Sequence, residues 1–191
     1  MQNCHTHTLL EMLEDRGVQT QSLRKMFEDD DVLNHFASWV SDDSTTCVMF
    51  CLSKGLAVDA RDAIEREINN DLPRNYIVIV SEKISSGSAN NFESLDQRLR
   101  EKKGGMVQVF TLKELQFNPS RHTLVPKHVK LNEEEVLKVL ELYQLKSKAQ
   151  LPLIMRSDPM ARYLGLKQQD VVRIHRVNET SGEALYYRCC A

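Results

Sequence analysis

The sequence predicts an α/β fold divided into two domains, residues 1–118 and 119–191. Segments with strand and helix periodicity alternate through the first part of the chain. A turn-forming cluster, Phe117-Asn118-Pro119-Ser120, then interrupts this alternation. The charge balance also changes there. The first 118 residues carry 13 basic and 19 acidic side chains, whereas the remaining residues carry 12 basic and 8 acidic ones.

The first domain begins with segments of helical periodicity. Thr6 or Thr8 is expected to cap a helix that ends at Asp15-Arg16-Gly17, because threonine favours the N-cap and glycine favours the residue after a helix. The apolar residues of this helix are Leu9, Leu10, Met12 and Leu13. Two further helical segments are predicted, one with Leu23, Met26 and Phe27 and one with Val32, Leu33, Phe36 and Trp39.

The rest of the first domain is predicted to alternate strand and helix. The predicted strands are rich in β-branched and apolar residues, and they lie at 45–52, 76–80 and 106–110. The predicted helices lie at about 60–68 and 92–100. A polar loop, 85–91, is expected before the second helix, and Gly104-Gly105 is expected to end it. This order is typical of a parallel sheet with crossover helices.

The second domain is predicted to contain short helices and a β-hairpin. Asn132 and Glu135 have the spacing of a capping box, so a helix is expected to follow Asn132. Ser157-Asp158-Pro159 predicts the start of a short helix, and Gly165 fits the position just after its end. Strands are predicted at 171–176 and 185–188, around a hairpin loop at 178–182.

Composition excludes several classes of protein. With a net charge of −2, this chain is not expected to hold nucleic acid by bulk charge. No apolar run reaches the roughly 20 residues of a membrane helix, so no membrane partner is expected. Five cysteines, two of them adjacent, do not suggest a disulfide framework. Since no secretory signal is recognisable, we expect a reducing compartment.

Few residues suggest metal or catalytic chemistry. Cys4, His5 and His7 are possible ligands, but they do not complete a four-ligand zinc pattern. We therefore expect no metal and no cofactor. Glu101-Lys102-Lys103 has the spacing of a metal-dependent nuclease motif, yet it is predicted at a helix end rather than on a strand. A nuclease stays open as an alternative, although no catalytic residue is assigned.

Arginines are dense near the end of the chain. They are Arg156, Arg162, Arg173, Arg176 and Arg188, with Asp158, Asp170 and Glu179 among them. Arginine binds planar acidic groups in a bidentate manner, so this density is compatible with a docking surface. Ordinary surface ion pairs would produce the same pattern.

The segment from His122 to Arg188 closely resembles the C-terminal assembly domain of the fifth-largest subunit shared by the eukaryotic nuclear RNA polymerases, a family that includes an archaeal counterpart. The motifs that carry the resemblance recur in order and spacing. They are Leu124-Val125-Pro126, His128, Leu151-Pro152, Ser157-Asp158-Pro159, Ala161-Arg162-Tyr163, Gly165-Leu166-Lys167 and Glu179-Thr180. The first half resembles the eukaryote-type jaw domain of that family more faintly, through Asp15-Arg16-Gly17, Lys54 to Ile64 and Ile84 to Ala89.

The resemblance implies a non-catalytic polymerase subunit located in the nucleus, or in the cytoplasm or a virion if a DNA virus is the source. The assembly domain would dock on the largest subunit, near the small omega-like subunit. The residues carried over to this docking surface are Asp158, Pro159, Arg162, Tyr163, Gly165, Arg173, Arg176, Glu179, Thr180 and Arg188. Helix capping accounts for Asp158, Pro159 and Gly165 equally well.

The resemblance also implies that the jaw-like half lies along downstream duplex DNA. Because this half is acidic, contact with DNA is expected to be local, weak and independent of sequence. The candidate residues are Lys83, Ser85, Ser86, Ser88 and Asn90. Besides the nuclease, a free-standing transcription regulator derived from such a subunit is an alternative.

Overall fold

The computed structural model describes residues 4–27, 37–53, 55–69, 74–178 and 182–191. The chain forms two compact units, Met1–Phe117 and Asn118–Ala191. Both contain helices and a four-stranded sheet, so the predicted α/β class is confirmed. The predicted helical residues Val32, Leu33 and Phe36 lie outside the described residues.

The first unit combines four described helices with one sheet. Its elements are α1 (Cys4–Asp15), α2 (Gln21–Met26), β1 (Ala37–Val40), β2 (Thr46–Cys51), α3 (Leu56–Asn69), β3 (Asn75–Val80), α4 (Ser86–Lys103) and β4 (Met106–Thr111). The strand order is β1-β2-β3-β4. β1 pairs antiparallel with β2, while β2, β3 and β4 are parallel. The predicted crossover arrangement is therefore confirmed for the three predicted strands.

Helices cover both faces of this sheet. One face packs against α3 and α4, where Met49 and Val78 join Ile64 and Leu99 in a buried apolar cluster. On the other face the Arg16 side chain at the end of α1 hydrogen-bonds Gln108 of β4 at 2.9 Å. Burial of both faces explains why the strand sequences are continuously apolar rather than alternating.

Buried polar contacts join the helices to the strands. In α4, the buried Asp96 accepts a hydrogen bond from the backbone N–H of Val107 at 2.9 Å and forms an ion pair with Arg100. In β3, the hydroxyl of the buried Tyr76 donates to Glu67 of α3 at 2.8 Å. Burial raises the pKa of Tyr76 above its ordinary value, and the Glu67 carboxylate adds to this shift. These bonds fix α3 and α4 along the sheet.

The structure corrects three of the predictions for this unit. Thr6 and Thr8 do not cap a helix, since α1 begins at Cys4 and buries both side chains. Trp39 is in strand β1 rather than a helix, because it pairs with Val48 of β2. The predicted loop 85–91 is wrong beyond Ser85. Residues from Ser86 onwards form the first turns of α4, although serine, glycine and asparagine are weak helix formers.

The second unit is smaller and contains one mixed sheet. Its elements are a short 3-10 helix (Pro119–Arg121), β5 (Lys127–Lys130), α5 (Glu133–Leu142), a second 3-10 helix (Lys148–Gln150), β6 (Leu153–Ile154), α6 (Pro159–Tyr163), β7 (Val171–Asn178) and β8 (Gly182–Cys190). The strand order is β5-β7-β8-β6, with β6 parallel to β8. The predicted hairpin is confirmed as β7 and β8, and most of its loop, 179–181, lies outside the described residues.

Two separate apolar clusters hold this sheet, one on each face. On one face α5 contributes Val136 and Val139, which pack with Val171. On the other face α6 contributes Ala161, which packs with Val172 and Ile174. We call these the α5 face and the α6 face. Because side chains alternate along a strand, successive residues of β7 belong to different faces.

The helix start and helix end predicted for this unit are confirmed by the structure. Asn132 accepts from the backbone N–H of Glu135 at 2.8 Å, and the Glu135 carboxylate accepts from the N–H of Asn132 at 3.1 Å, which completes the capping box of α5. Gly165 has a φ of 61°, the left-handed conformation expected just beyond α6. None of the described helices has the length and apolar content that crossing a bilayer requires.

Candidate interaction surfaces

The position of α6 is set by the two residues at its N-terminus. Asp158 is the N-cap, and its Oδ1 accepts from the backbone N–H of Met160 at 2.8 Å and of Ala161 at 3.4 Å. Pro159 occupies the first helical position, where a missing N–H has no cost. Both residues are therefore accounted for by helix geometry. They determine where α6 lies and thereby where the half-buried Arg162 is placed.

Tyr163 has an internal role. It is buried, and its hydroxyl accepts a hydrogen bond at 2.9 Å from the side-chain amide of Asn118, which is also buried. The contact joins α6 to the first residue of this unit, across 45 positions of sequence. Tyr163 therefore supports the surface around α6, and its ring is not available as a contact for a partner.

Arg176 and Arg188 lie on the α6 face. Arg176 of β7 stands with its guanidinium carbon 5.3 Å from the centroid of the Tyr186 ring, a cation–π distance. Arg188 of β8 is directly paired with Val172, and its guanidinium donates to the carbonyl of Leu153 at 3.3 Å. All three of Arg176, Tyr186 and Arg188 are exposed. The structure thus brings two of the predicted arginines to one face.

Arg173 lies on the opposite face of the same sheet. It is half-buried and points toward α5, with a guanidinium nitrogen 3.9 Å from the Glu135 carboxylate. Its register partner is Tyr187, which packs against the α5 cluster. The predicted docking set is therefore divided between two faces. Glu179 and Thr180 fall outside the described residues.

Sequence reasoning missed the exposed apolar residues of this sheet. Several large apolar side chains near the hairpin end and the β6 edge are exposed: Leu153, Met155, Val177, Leu185 and Tyr186. Two-residue alternation along β8 could have revealed Tyr186, since it places this residue on the same face as Arg188. Exposed aromatic and arginine side chains together are characteristic of protein interfaces.

The predicted DNA-proximal residues of the first unit surround the beginning of α4. Ser85 is the N-cap, and its hydroxyl oxygen accepts from the backbone N–H of Ser88 at 3.3 Å. Lys83, Ser86 and Asn90 are exposed. The beginning of a helix carries partial positive charge and unpaired N–H groups, both of which favour phosphate. The residues are brought together by a helix terminus rather than by a loop.

Candidate metal ligands do not assemble within the described ranges. No group of three His, Cys, Asp or Glu side chains there is arranged to hold a metal ion. Cys4 is exposed, whereas Cys47 and Cys51 are buried. Burial raises the pKa of each of these two thiols to about 12. Cys47 and Cys51 therefore behave as core residues of β2.

Comparisons with known proteins identify relatives of this chain. Residues 117–190 match the family model described as RNA polymerase Rpb5, C-terminal domain. A curated relative, DNA-directed RNA polymerases I, II, and III subunit rpabc1 of Dictyostelium discoideum, is 40% identical over 124 residues, which cover 65% of this chain and 61% of the relative. The subunit RPABC1 of Caenorhabditis briggsae is 45% identical over 83 residues, or 44% of this chain and 39% of that protein.

These matches agree with the geometry of the second unit. The matched range contains both of its helices, its whole sheet and the α6 face. The aligned segments span about three fifths and two fifths of the two relatives. Over residues 117–190 this chain is therefore similar to the RNA polymerase Rpb5 C-terminal domain family.

Proposed function

We propose that this chain is a non-catalytic subunit of a multisubunit DNA-directed RNA polymerase and acts in the nucleus. Its second unit docks on the largest subunit, near the small omega-like subunit, and its first unit lies along incoming downstream DNA. The observation that carries this proposal is the family match over residues 117–190. The names of the two relatives, both subunits common to RNA polymerases I, II and III, support it.

The α6 face is the docking surface in this proposal. Arg176 and Tyr186 form a cation–π pair on it, and Arg188 donates a hydrogen bond to the Leu153 carbonyl. Side chains that are already ordered lose little conformational entropy on binding, which favours affinity. The exposed ring of Tyr186 adds apolar area next to the charged groups. Arg173 is assigned to the α5 face and contributes little to docking.

The DNA contact is confined to the beginning of α4. The first 118 residues have 19 acidic against 13 basic side chains, so repulsion from phosphates opposes binding over most of their surface. The backbone N–H groups at the start of α4, with Lys83 beside them, offer a local exception. DNA is therefore held mainly by the rest of the polymerase, and this unit guides it.

The docking proposal is tested by affinity purification of the full chain from its own cells, followed by mass spectrometry. The wild-type chain is expected to recover the largest polymerase subunit together with other common subunits. Arg176→Glu combined with Arg188→Glu should reduce that recovery at least tenfold, because acidic side chains replace both exposed guanidinium groups of the α6 face.

Lys138→Glu is the matched control. Lys138 is an exposed residue of α5, so the variant reverses a charge in the same unit on the opposite face and should leave recovery unchanged. Equal recovery of the subunit by the folded double variant would refute the α6 face as the docking surface. Failure of the wild-type chain to recover any polymerase subunit would refute the proposed function and favour a free-standing regulator.

The DNA proposal is tested by fluorescence anisotropy with a 30-base-pair duplex. The purified chain should bind only at high micromolar concentration in low salt, with the same affinity for unrelated sequences. Lys83→Glu should weaken this binding several-fold, whereas Lys138→Glu should not. Submicromolar binding that persists in salt, or cleavage of the duplex when magnesium is added, would contradict the guiding role.

A further inference from the structure

The first unit contains a cavity of about 390 Å³. It lies between the first turns of α1, which contribute His5, Thr6 and Leu9, and the sheet, which contributes Phe50 and Ile79. The sheet contributes apolar side chains, the residues that follow β2 and β3 contribute two serine hydroxyls, and α1 contributes a hydroxyl and an imidazole. A volume of this size lies within the range of small-molecule sites, about 300–1,000 Å³.

The cavity lies at the carboxyl ends of the three parallel strands. Ser53 follows the carboxyl end of β2, Ser81 follows β3 and Leu112 follows β4, and all three residues line the cavity. These three strands are parallel, so their carboxyl ends meet at one edge. Open α/β sheets bind ligands outside the carboxyl ends of their strands. None of the residues that the structure describes as lining the cavity belongs to the beginning of α4 or to the α6 face.

The lining determines the chemistry of a ligand. No Lys, Arg, Asp or Glu side chain is among the described residues that line the cavity, so neither a phosphate nor an ammonium group would be compensated there. Among the described residues, none offers a hydrogen-bond partner to Nδ1 of His5, although that atom is buried. An unpaired buried polar atom is costly, and a ligand that reaches it removes that cost.

The shape of the site is set by two layers. Side chains of α1 line the cavity on one side, and Phe50 and Ile79 of the sheet line it on the other. A flat ligand fills such a space with the least exposed apolar surface, and the ring of Phe50 favours an aromatic partner. We propose that this cavity binds a small, uncharged, planar aromatic molecule that forms one hydrogen bond with the imidazole of His5.

The proposal is tested by two-dimensional NMR of the full chain with three probes of nearly equal shape. Indole carries a hydrogen-bond donor, benzofuran carries an acceptor and indene carries neither. We expect saturable shifts of the backbone amides of Ser53, Ser81 and Leu112. Either indole or benzofuran should bind at least threefold more tightly than indene, because only one of them complements Nδ1 of His5.

Two variants locate the binding site. Ser81→Phe places a large side chain at an exposed position on the cavity rim and should weaken binding of all three probes at least tenfold. Ser94→Phe makes the same change at an exposed position of α4 that does not line the cavity, and it should have no effect. His5→Phe keeps a ring but removes its nitrogens, so it should abolish the preference over indene.

Several results would overturn the proposal. They are an absence of saturable shifts at the lining residues up to the solubility of the probes, equal affinities of the three probes, and unchanged binding by folded Ser81→Phe. If Ser81→Phe does not fold, the His5→Phe variant tests the site instead. A His5→Phe protein that still binds indole or benzofuran more tightly than indene would refute the proposal. Neither DNA nor polymerase enters the experiment, so its outcome is separate from that of the proposed function.

Discussion

The two units use their sheets in different ways. In the first unit every residue of β2 is buried, and in β3 all but the first residue are buried. In the second unit β8 is buried only at its last two residues, Cys189 and Cys190. Helices on both faces cover the first sheet, whereas short α6 leaves the hairpin end of the second sheet uncovered.

This difference suggests separate roles, in which the first sheet contributes to stability and the second offers a surface for recognition. Nine of the twelve large apolar side chains that are exposed among the described residues belong to the second unit, and they include Leu153, Met155 and Tyr186. Apolar residues grouped at a surface are characteristic of binding sites for other proteins. The first unit is therefore expected to respond to substitution mainly through folding, and the second mainly through association.

The largest expected effect contrasts two leucines. Leu99 of α4 is fully buried between helix and sheet, whereas Leu185 of β8 is 49% exposed. Leu99→Ala should lower the free energy of unfolding by about 2–5 kcal/mol, because it removes apolar contacts and leaves a cavity. Leu185→Ala should change it by about 0.5 kcal/mol or less. Urea denaturation measures the free energy of unfolding of both variants. Equal losses of stability would contradict the expected difference between the two units.

A second test compares two glycines of the first unit. A Cβ atom added to Gly105 would lie 2.4 Å from the carbonyl oxygen of Arg74 and 2.9 Å from a methyl carbon of Leu99. Gly105→Ala should therefore cost about 1–3 kcal/mol of stability, since backbone must move. Gly87 of α4 has nothing within 4 Å of its added Cβ.

Gly87→Ala serves as the control for that test. It should stabilise the protein by about 0.5–1 kcal/mol, because alanine is the better helix former and the site has room. Thermal denaturation measures both variants. A Gly105→Ala protein as stable as the wild type would show that the junction of α4 and β4 is less tightly packed than its distances indicate.

A third test addresses the helix that shapes the docking face. Asp158→Ala removes the cap of α6 and should cost about 1 kcal/mol, whereas Asp158→Asn keeps a capping oxygen and should cost less. If α6 acts by positioning the face, Asp158→Ala should also reduce recovery of polymerase more than Asp158→Asn does. Equal recovery with both variants would show that the docking surface does not depend on α6.

The smallest expected effect concerns alkaline pH. The pKa of Cys47 and of Cys51 is raised to about 12 by burial, from an ordinary value of 9.0. Both thiols stay protonated in the folded protein and ionise when it unfolds above pH 9. Their contribution to stability is thus fully present below pH 9 and is lost as the pH rises from 9 toward 12.

Denaturation at pH 8 and at pH 10.5 measures that loss. Cys47→Ala should reduce the decrease in stability between the two pH values, because one of the two shifted thiols is gone. Cys4→Ala, at an exposed cysteine, should leave the decrease as it is in the wild type. An unchanged decrease in Cys47→Ala would assign the alkaline sensitivity to other groups, among them Tyr76, whose pKa is also raised.

Local signals in the sequence predicted much of the fold. The apolar runs of β2, β3 and β4 and the caps at Asn132 and Asp158 depend on residues close together in the chain, so their pattern is readable without the structure. The start of α4 was missed because its first turns contain weak helix formers. The burial of Phe92 and Leu95 against the sheet outweighs that weak preference.

The candidate sites depended more strongly on tertiary structure. The arginines near the end of the chain look alike in sequence, yet strand register places Arg173 on the α5 face and Arg176 and Arg188 on the α6 face. The bond between Asn118 and Tyr163 joins residues 45 positions apart, and no local pattern indicates it. The cavity lined by His5 likewise requires α1 and three strand ends to meet.

The amino-acid order alone was sufficient for the α/β class, the caps and the family resemblance of residues 122–188. The class and the caps depend on apolar periodicity or hydrogen bonds within a few residues, and the resemblance depends on short motifs that recur in order and spacing. Which side chains share a face, which are buried and where a cavity remains were decided only when distant segments packed together. Packing and strand pairing act between residues far apart in sequence, and these interactions place Arg176 beside Tyr186 and bring His5 and Phe50 to the lining of one cavity.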